Sequence, residues 1–224
     1  MLHYKIPFEH QDICYDTIRE SDSPEVVNIL TNYFGPFEPM NHSVGITAED
    51  FAQFAQLMTN YVIEKKLSLI ARDKKTQKVV SVTILKDFMD ELPIDVEAVC
   101  PKLLPVFALM GNLAGQYIEK NLDIEENKVM ELLVGITVPT YWNRGISTIL
   151  WGASEKVAYE HGYKKIVSCV TGLASQHITL QKLHYKESCS IPYKDFIYEG
   201  SIIFQGITEI LSCKLVEKNI QDAF

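Results

Sequence analysis

The sequence predicts an α/β fold in which a mixed, mostly antiparallel sheet is flanked by helices. Two observations indicate this class. Short runs with strand-like alternation are interspersed with longer runs at helical spacing, and one strand leads through a tight turn straight into a helix. The 224 residues, 47% of them hydrophobic, suit one domain spanning 1–224 with a core large enough to enclose a pocket.

The helices are predicted from their start signals and from apolar residues at helical spacing. Asp22-Ser23-Pro24 is typical of a helix N-terminus, because a capping residue precedes a proline. Thr47 opens a second helix with acidic residues in its first turn. Residues 37–41 are expected to be non-helical, since Glu38 precedes a proline. In chain order, the predicted helices span 24–33, a stretch that begins at Thr47, 102–120, 145–161 and 175–183.

The strands are predicted where short apolar runs are bounded by turn residues. Residues 67–72 and 79–85 flank the polar turn 73–77, which predicts an antiparallel hairpin. Residues 87–101 are acidic and interrupted by prolines, so we expect an irregular surface segment there. The remaining predicted strands span 13–19, 128–138, 164–170, 187–191 and 201–204.

Composition narrows the classes of partner. The formal charge of −8 and the scattered Lys and Arg residues argue against nucleic acid. No run approaches the ~20 apolar residues of a membrane helix, and residues 1–12 lack a signal-peptide pattern, so we expect a cytoplasmic protein with no membrane partner. We also expect a monomer. The five cysteines are odd in number and lack metal-ligand spacing, so we expect no metal.

The segment 131–147 carries the clearest chemical signal. It joins a strand to a helix through a tight turn, and Gly145 lies where the backbone bends without a Cβ in the way. Such a turn presents unpaired N–H groups at a helix N-terminus, where phosphate groups bind. Arg144 adds a positive charge. The pattern R-G-x-S alone also fits an ordinary capped helix, so only the whole segment is informative.

The whole segment resembles the acetyl-CoA motif of the GNAT superfamily of N-acetyltransferases. Pro139 and Tyr141 match the end of that family's strand, Gly145 its central glycine and Gly162 the end of its helix. The resemblance implies a GNAT fold with a central strand-turn-helix cofactor site, acetyl-CoA as co-substrate and direct acetyl transfer. The residues that it implies for cofactor binding are Ile136, Thr137, Val138, Trp142, Asn143, Arg144, Gly145, Ile146, Ser147 and Thr148.

Five positions depart from the GNAT pattern. Within the turn, Asn143 replaces a glycine, and Ser147 replaces a final glycine or alanine but is small enough for a pyrophosphate to approach closely. Trp142 stands where the family has Arg or Gln, and His184 replaces the glycine of K-L-G-F. Leu180 stands where many of these enzymes have a general-acid tyrosine, so proton chemistry must come from elsewhere in the chain. These departures leave open a degenerate GNAT fold that binds CoA or a partner protein without catalysis.

The loop 34–41 supplies a candidate general base. Its sequence, F-G-P-F-E-P-M-N, resembles the F-x-x-x-E-P-L-N signature of insect-type arylalkylamine (dopamine) N-acetyltransferases, in which the glutamate acts as the base through water. The resemblance implies that Glu38 accepts the proton of an ammonium substrate, because the free amine is the nucleophile. On residue type alone, Glu38 would be a solvated loop acid.

Hydroxyl groups after the predicted strand 164–170 are further candidates for a catalytic role. The two serines that serve the site in that family fall on Gly172 and Gln176 here, and the neighbouring Thr171 and Ser175 are possible substitutes. We include Ser175 among the catalytic candidates, although its position favours a helix cap.

The expected acceptor is a small primary amine of the arylalkylamine class, in keeping with the resemblance. The acidic chain favours a cationic acceptor. Phe34, Phe37 and Met40 are the candidate acceptor contacts, and the two aromatic residues are equally core residues. Acetylation of polyamines or protein amines is the alternative within the same family.

Overall fold

The computed structural model describes residues 5–122 and 124–220. Its strands are β1 (Phe8–His10), β2 (Ile13–Thr17), β3 (Leu69–Asp73), β4 (Val79–Asp87), β5 (Val129–Thr137), β6 (Lys165–Val170), β7 (Lys186–Pro192), β8 (Ile197–Tyr198), β9 (Ser201–Ile202) and β10 (Ser212–Asn219). Eight of them form one sheet in the order β1-β2-β3-β4-β5-β6-β10-β7, and β8 pairs with β9 separately. All neighbours in the large sheet run antiparallel except β5 and β6, so the predicted mixed sheet is confirmed.

The helices lie between the strands as the sequence predicts in outline. They are α1 (Ser23–Ile29), α2 (Pro39–Ser43), α3 (Ala48–Lys65), α4 (Val96–Val99), α5 (Leu104–Lys120), α6 (Ile146–Glu160) and α7 (Leu173–Gln176). Turns of π-helix extend α1 over Leu30–Phe34 and α7 over His177–Lys182. Within residues 5–122 and 124–220, no helix is long and apolar enough to cross a membrane.

Helices cover both faces of the large sheet. Residues of α1, α3 and α5 pack in one apolar cluster with Val129 and Val134 of β5. Residues of α6 pack in a second cluster with Met130 and Leu132 of the same strand. The division follows from the alternation of side chains along a strand together with an extra residue, Leu133, which moves Val134 to the face opposite Leu132.

The parallel pair of strands opens a gap in the sheet. Only residues 129–131 of β5 pair with 165–167 of β6, through three residue pairs. Residues 132–137 of β5 therefore have no strand partner on the β6 side, although they pair with β4 on the other. The register shift within β4 and β5 leaves Leu133 as a bulged residue beside the gap. The Leu132 carbonyl oxygen on this edge accepts from Ser168 Oγ at 2.7 Å, and the Thr137 carbonyl oxygen accepts from Trp142 Nε1 at 2.7 Å. The backbone groups between these two positions have no strand partner among the described residues on the side of the gap.

The structure corrects the prediction that residues 37–41 are non-helical. Glu38 adopts the extended conformation that a residue before proline favours, with φ −63° and ψ 133°. Pro39 is then the first residue of α2, a position that tolerates proline because its missing N–H needs no partner. The same steric rule that excludes helix at Glu38 therefore makes it a helix cap.

The predicted C-terminal strands were also partly wrong. Of residues 201–204, only Ser201–Ile202 is a strand, and it lies in the small β8–β9 pair. Strand β10, which lies in the interior of the sheet between β6 and β7, was not predicted from the sequence. Cys213 and Leu215 are buried there at alternate positions. A short alternating run near the end of a chain carries no local sign of where it pairs.

Candidate active site

The turn between β5 and α6 has the geometry of an anion-binding site. Gly145 caps α6 in a left-handed conformation with φ +74°. A Cβ there would meet no atom within 4 Å, so glycine is required for the backbone conformation and not for space. Among the described residues no side chain caps the helix, so the first N–H groups of this 15-residue helix can bind an anion.

A groove of about 560 Å³ runs along this turn. It is lined by the predicted cofactor residues Ile136, Thr137 and 142–148. Val138 does not line the groove, and its N–H donates to the carbonyl oxygen of Val80 at 2.9 Å. Residues 142–148 therefore line one surface of the groove, whereas Val138 is bonded to β4.

Trp142 lies across the end of β5. Its indole Nε1–H donates to the carbonyl oxygen of Thr137 at 2.7 Å, and the residue is 59% exposed. The Thr137 hydroxyl is also within hydrogen-bond distance of Ser147 Oγ, at 2.6 Å, and of Ser81 Oγ, at 2.8 Å. The residue that departs from the GNAT pattern therefore covers a carbonyl group at the strand end without being buried.

Arg144 is engaged within the protein. Its Nη2 donates to both carboxylate oxygens of Asp12 at 2.6 Å, and its guanidinium lies 5.0 Å from the ring centroid of Tyr141. Hydrogen bonding to Arg144 lowers the pKa of the Asp12 carboxyl. Both partners are partly exposed, and water screens such a pair. Lys182 supplies a second cation on the groove wall.

A second cavity, of about 100 Å³, lies beneath α3 and α5 on the other side of the gap. Glu38 is the one charged residue that lines it within the described part of the chain. Most of the other lining side chains are aromatic or aliphatic, among them Phe34, Met40, Phe51, Phe54, Met58, Phe107 and Met110. The cavity therefore offers a single ionisable group in apolar surroundings.

The three candidate acceptor contacts do not all line the same cavity. Phe34 and Met40 line the apolar cavity. Phe37 does not, because it is 69% exposed and lines a separate groove with Pro39 and His42. The start of α2 at Pro39 turns the chain, so that Phe37 and Glu38 face different sides of the loop.

Glu38 has one engaged and one free carboxylate oxygen. Oε2 accepts a hydrogen bond from the backbone N–H of Asn41 at 2.8 Å and so caps α2. Oε1 is buried and has no hydrogen-bond partner among the described residues. Burial raises the pKa of the carboxyl above its usual value, against the smaller opposing effects of the Thr171 side chain and of the Asn41 and Met40 amides. Thr171 lies near the carboxylate without forming a hydrogen bond of normal geometry to Oε1.

Ser175 makes the helix-capping contacts that the sequence allowed as an alternative to a catalytic role. Its hydroxyl accepts from the Gly172 N–H at 3.1 Å and donates to the Gly172 carbonyl oxygen at 2.9 Å. The residue also lines both the groove and the apolar cavity. Its hydroxyl is therefore tied to the backbone at a place where the two spaces meet.

The groove and the cavity share Gly135, Trp151 and Ser175. A Cβ on Gly135 would lie 2.2 Å from Trp151 Cζ2, so the indole packs against bare backbone. Neither Gly135 nor Trp151 was predicted from the sequence to belong to the site. A glycine inside an apolar strand is a sign of close backbone approach, whereas Trp151 has only the spacing of an ordinary core residue.

No protein-family model and no curated protein sequence matches this chain. Solved structures do match it. The C-terminal condensation domain of Ebony in complex with β-alanyl-dopamine is 18% identical, with a TM-score of 0.83 over 94% of this chain and 100% of that one. Arylalkylamine N-acetyltransferase 2 from Aedes aegypti is 19% identical, with a TM-score of 0.79 over 94% and 100%. The polyamine N-acetyltransferase of Drosophila melanogaster is 14% identical, with a TM-score of 0.75 over 93% and 100%.

The chain has the GNAT fold. The fold prediction and the resemblance to insect arylalkylamine N-acetyltransferases are therefore confirmed at the level of structure. The structural similarity establishes the fold, but at sequence identities below 20% it does not identify the substrate.

Two departures from the GNAT pattern have a structural explanation. His184 has φ +59°, a left-handed conformation that glycine adopts without strain, so the backbone keeps the shape that the family's glycine gives. Leu180 packs against the apolar cluster beneath α6. No acid or hydroxyl is therefore supplied at position 180 of this GNAT fold.

Proposed function

We propose that this protein transfers the acetyl group of acetyl-CoA to a small arylalkylamine. One observation carries the proposal: the anion-binding turn and the buried Glu38 carboxyl open onto two spaces that meet at Gly135, Trp151 and Ser175. A thioester held in the groove and an amine held in the cavity would meet there, and holding two reactants together contributes a large part of catalysis.

The groove suits a CoA thioester at both ends. The free N–H groups at the start of α6 fit a pyrophosphate, with Arg144 and Lys182 as flanking cations. The pantetheine arm contains two amide groups, which can pair with the edge of β5 between Leu132 and Thr137 as an added strand does. The Val138 N–H is bonded to Val80 of β4, and the Ile136 N–H faces β4 in the same way, so the donors that polarise the thioester carbonyl are the amides of Gly135 and Thr137.

Glu38 is the base in the proposed reaction. The substrate enters as an ammonium ion, and Glu38 Oε1 accepts one proton from it through water. The amine nitrogen attacks the thioester carbon, a C–N bond forms and the C–S bond breaks. The CoA sulfur takes the second nitrogen proton, and Glu38 returns its own to solvent. The products are an N-acetyl amine, CoA thiol and one released proton, with no covalent enzyme intermediate.

The lining of the cavity favours an arylalkylamine over a polyamine. Glu38 pairs with one ammonium group, and a second ammonium would be buried without a charged partner. An aromatic ring instead packs against Phe54 and Phe107, whose own rings lie 5.8 Å apart between centroids. We expect kcat/KM for tyramine, dopamine, serotonin and tryptamine to exceed that for spermidine or a lysine peptide by roughly tenfold or more. Preference for the polyamine or the peptide would remove the arylalkylamine assignment and leave acetyl transfer standing.

A second candidate function is CoA binding without catalysis. Leu180 favours it, because position 180 supplies no acid or hydroxyl group to protonate the leaving thiolate. Under this candidate, acetyl-CoA binds and no amine is acetylated.

Gly145→Val is expected to weaken acetyl-CoA binding about tenfold. A β-branched residue at φ +74° is strained by roughly 1–2 kcal/mol, and relief of that strain would turn the N–H groups away from the groove. Isothermal titration measures the change. Gly162→Val is the matched control, since Gly162 also has a left-handed φ of +80° and open space around it but does not line the groove. Equal affinity in the two variants would exclude the turn as the phosphate site.

A further inference from the structure

One indole ring lies between the two spaces. Trp151 is 4% exposed, yet it lines both the groove and the apolar cavity. It belongs to α6, on the opposite face of the sheet from Glu38. The ring therefore reaches the apolar cavity through the gap between β5 and β6, where those strands no longer pair.

The ring is held in place on two sides. A Cβ built on Gly135 would lie 2.2, 2.4 and 2.5 Å from Cζ2, Nε1 and Cε2 of Trp151, so the indole is in contact with the β5 backbone. On its helix side, Trp151 belongs to the apolar cluster that contains Ile146 and Leu150. A closely packed ring of this kind has little room to give way.

Trp151 is also the bulky group at the place where donor and acceptor meet. Of the three residues that border both spaces, Gly135 has no side chain, and the Ser175 hydroxyl is bonded to Gly172. The thioester carbon must lie at this junction to be reached by an amine near Glu38. The acyl chain beyond that carbon must then share the space with the indole.

We infer that Trp151 determines the length of the acyl group that the protein accepts and restricts it to short chains such as acetyl. This inference rests on the proposed acyl transfer and adds a selectivity that neither the fold nor the base provides. Each added methylene must displace the ring or push the amine away from the thioester. Rejection of one extra methylene by a tight pocket is worth roughly 10–200-fold in kcat/KM.

The test compares acetyl-, propionyl-, butyryl- and hexanoyl-CoA with one amine, for the unaltered protein and for Trp151→Leu and Trp151→Phe. We expect the ratio of kcat/KM for butyryl-CoA to that for acetyl-CoA to rise by about tenfold or more in Trp151→Leu, with Trp151→Phe intermediate. Trp142→Leu is the matched control, because the other tryptophan of the chain lines the groove alone and is exposed. The Trp142→Leu substitution is expected to change kcat/KM for all four acyl-CoA donors by a similar factor. The ratio of kcat/KM for butyryl-CoA to that for acetyl-CoA is then unchanged.

Direct titration of acetyl-CoA and butyryl-CoA gives a second readout that needs no turnover. If the unaltered protein acetylates no amine, the proposed function fails, and the ratio of the two dissociation constants still tests Trp151. Thermal unfolding shows whether the Trp151→Leu variant is folded. If it is not, the ratio measured for Trp151→Phe tests the inference. Ratios that stay within about twofold of the unaltered protein in the folded variants would overturn the inference and leave acetyl transfer intact.

Discussion

Replacing Glu38 with glutamine is expected to lower kcat for amine acetylation by about 10²-fold or more, the scale of a lost general base. Glutamine keeps the size of the side chain, and its carbonyl oxygen can still accept the Asn41 N–H that caps α2. It cannot accept a proton from the substrate. Acetyl-CoA affinity is expected to change little, because Glu38 lines the apolar cavity and not the cofactor groove.

The pH profile gives this prediction a second readout. Because burial raises the pKa of Glu38, its basic form is present above that raised pKa and is lost as the pH falls through it. The acid limb of kcat/KM is therefore expected above pH 4.5, the ordinary value for this carboxyl, and to vanish in the glutamine variant. Burial also raises the pKa values of the nearby Tyr193 and Cys213 far beyond neutrality, so neither titrates in this range. An unchanged rate and profile would make Glu38 a helix cap and nothing more.

Gly135→Ala is expected to cost about 1–3 kcal/mol of unfolding free energy, the range for overpacking a filled core. The new methyl carbon would lie 2.2 Å from Trp151 Cζ2, so either the strand or the indole must shift. A shift of the indole would also narrow the junction between the groove and the cavity. Denaturant unfolding measures the stability change, and the acetylation rate reports on the junction.

Gly111→Ala is the control for that substitution. Gly111 lies in α5, and a Cβ there would meet no atom within 4 Å. Alanine in such a helix position is expected to be neutral or stabilising by up to about 1 kcal/mol. If Gly135→Ala unfolded like Gly111→Ala, the close contact between the indole and β5 would be absent from the protein.

Local patterns predicted the parts of the fold whose signals lie within a few residues. The hairpin of β3 and β4, the capped start of α3 at Thr47 and the unit of β5 and α6 were all predicted close to their observed bounds. The segment 142–148 was predicted to contact the cofactor, and it lines one groove because a contiguous turn builds that surface.

Features that depend on long-range pairing could not be predicted in this way. The place of β10 between β6 and β7 is set by strands far away in sequence, and the gap beside β5 exists because β6 diverges from it. Trp151 borders both the groove and the apolar cavity because the gap lies over it. The helical spacing of apolar residues does not predict that position. Phe37 and Glu38 are neighbours in the chain and face different spaces, because α2 begins immediately after them.

The most direct test of the account follows thiol release and N-acetyl amide formation together, with acetyl-CoA as the donor and tyramine as the acceptor. The account predicts saturable turnover in both substrates, with one CoA thiol released for each N-acetyltyramine found by mass spectrometry. Acetyl-CoA that binds in a titration but releases no thiol with any amine of the panel would contradict it. That result would establish a CoA-binding GNAT fold without catalysis.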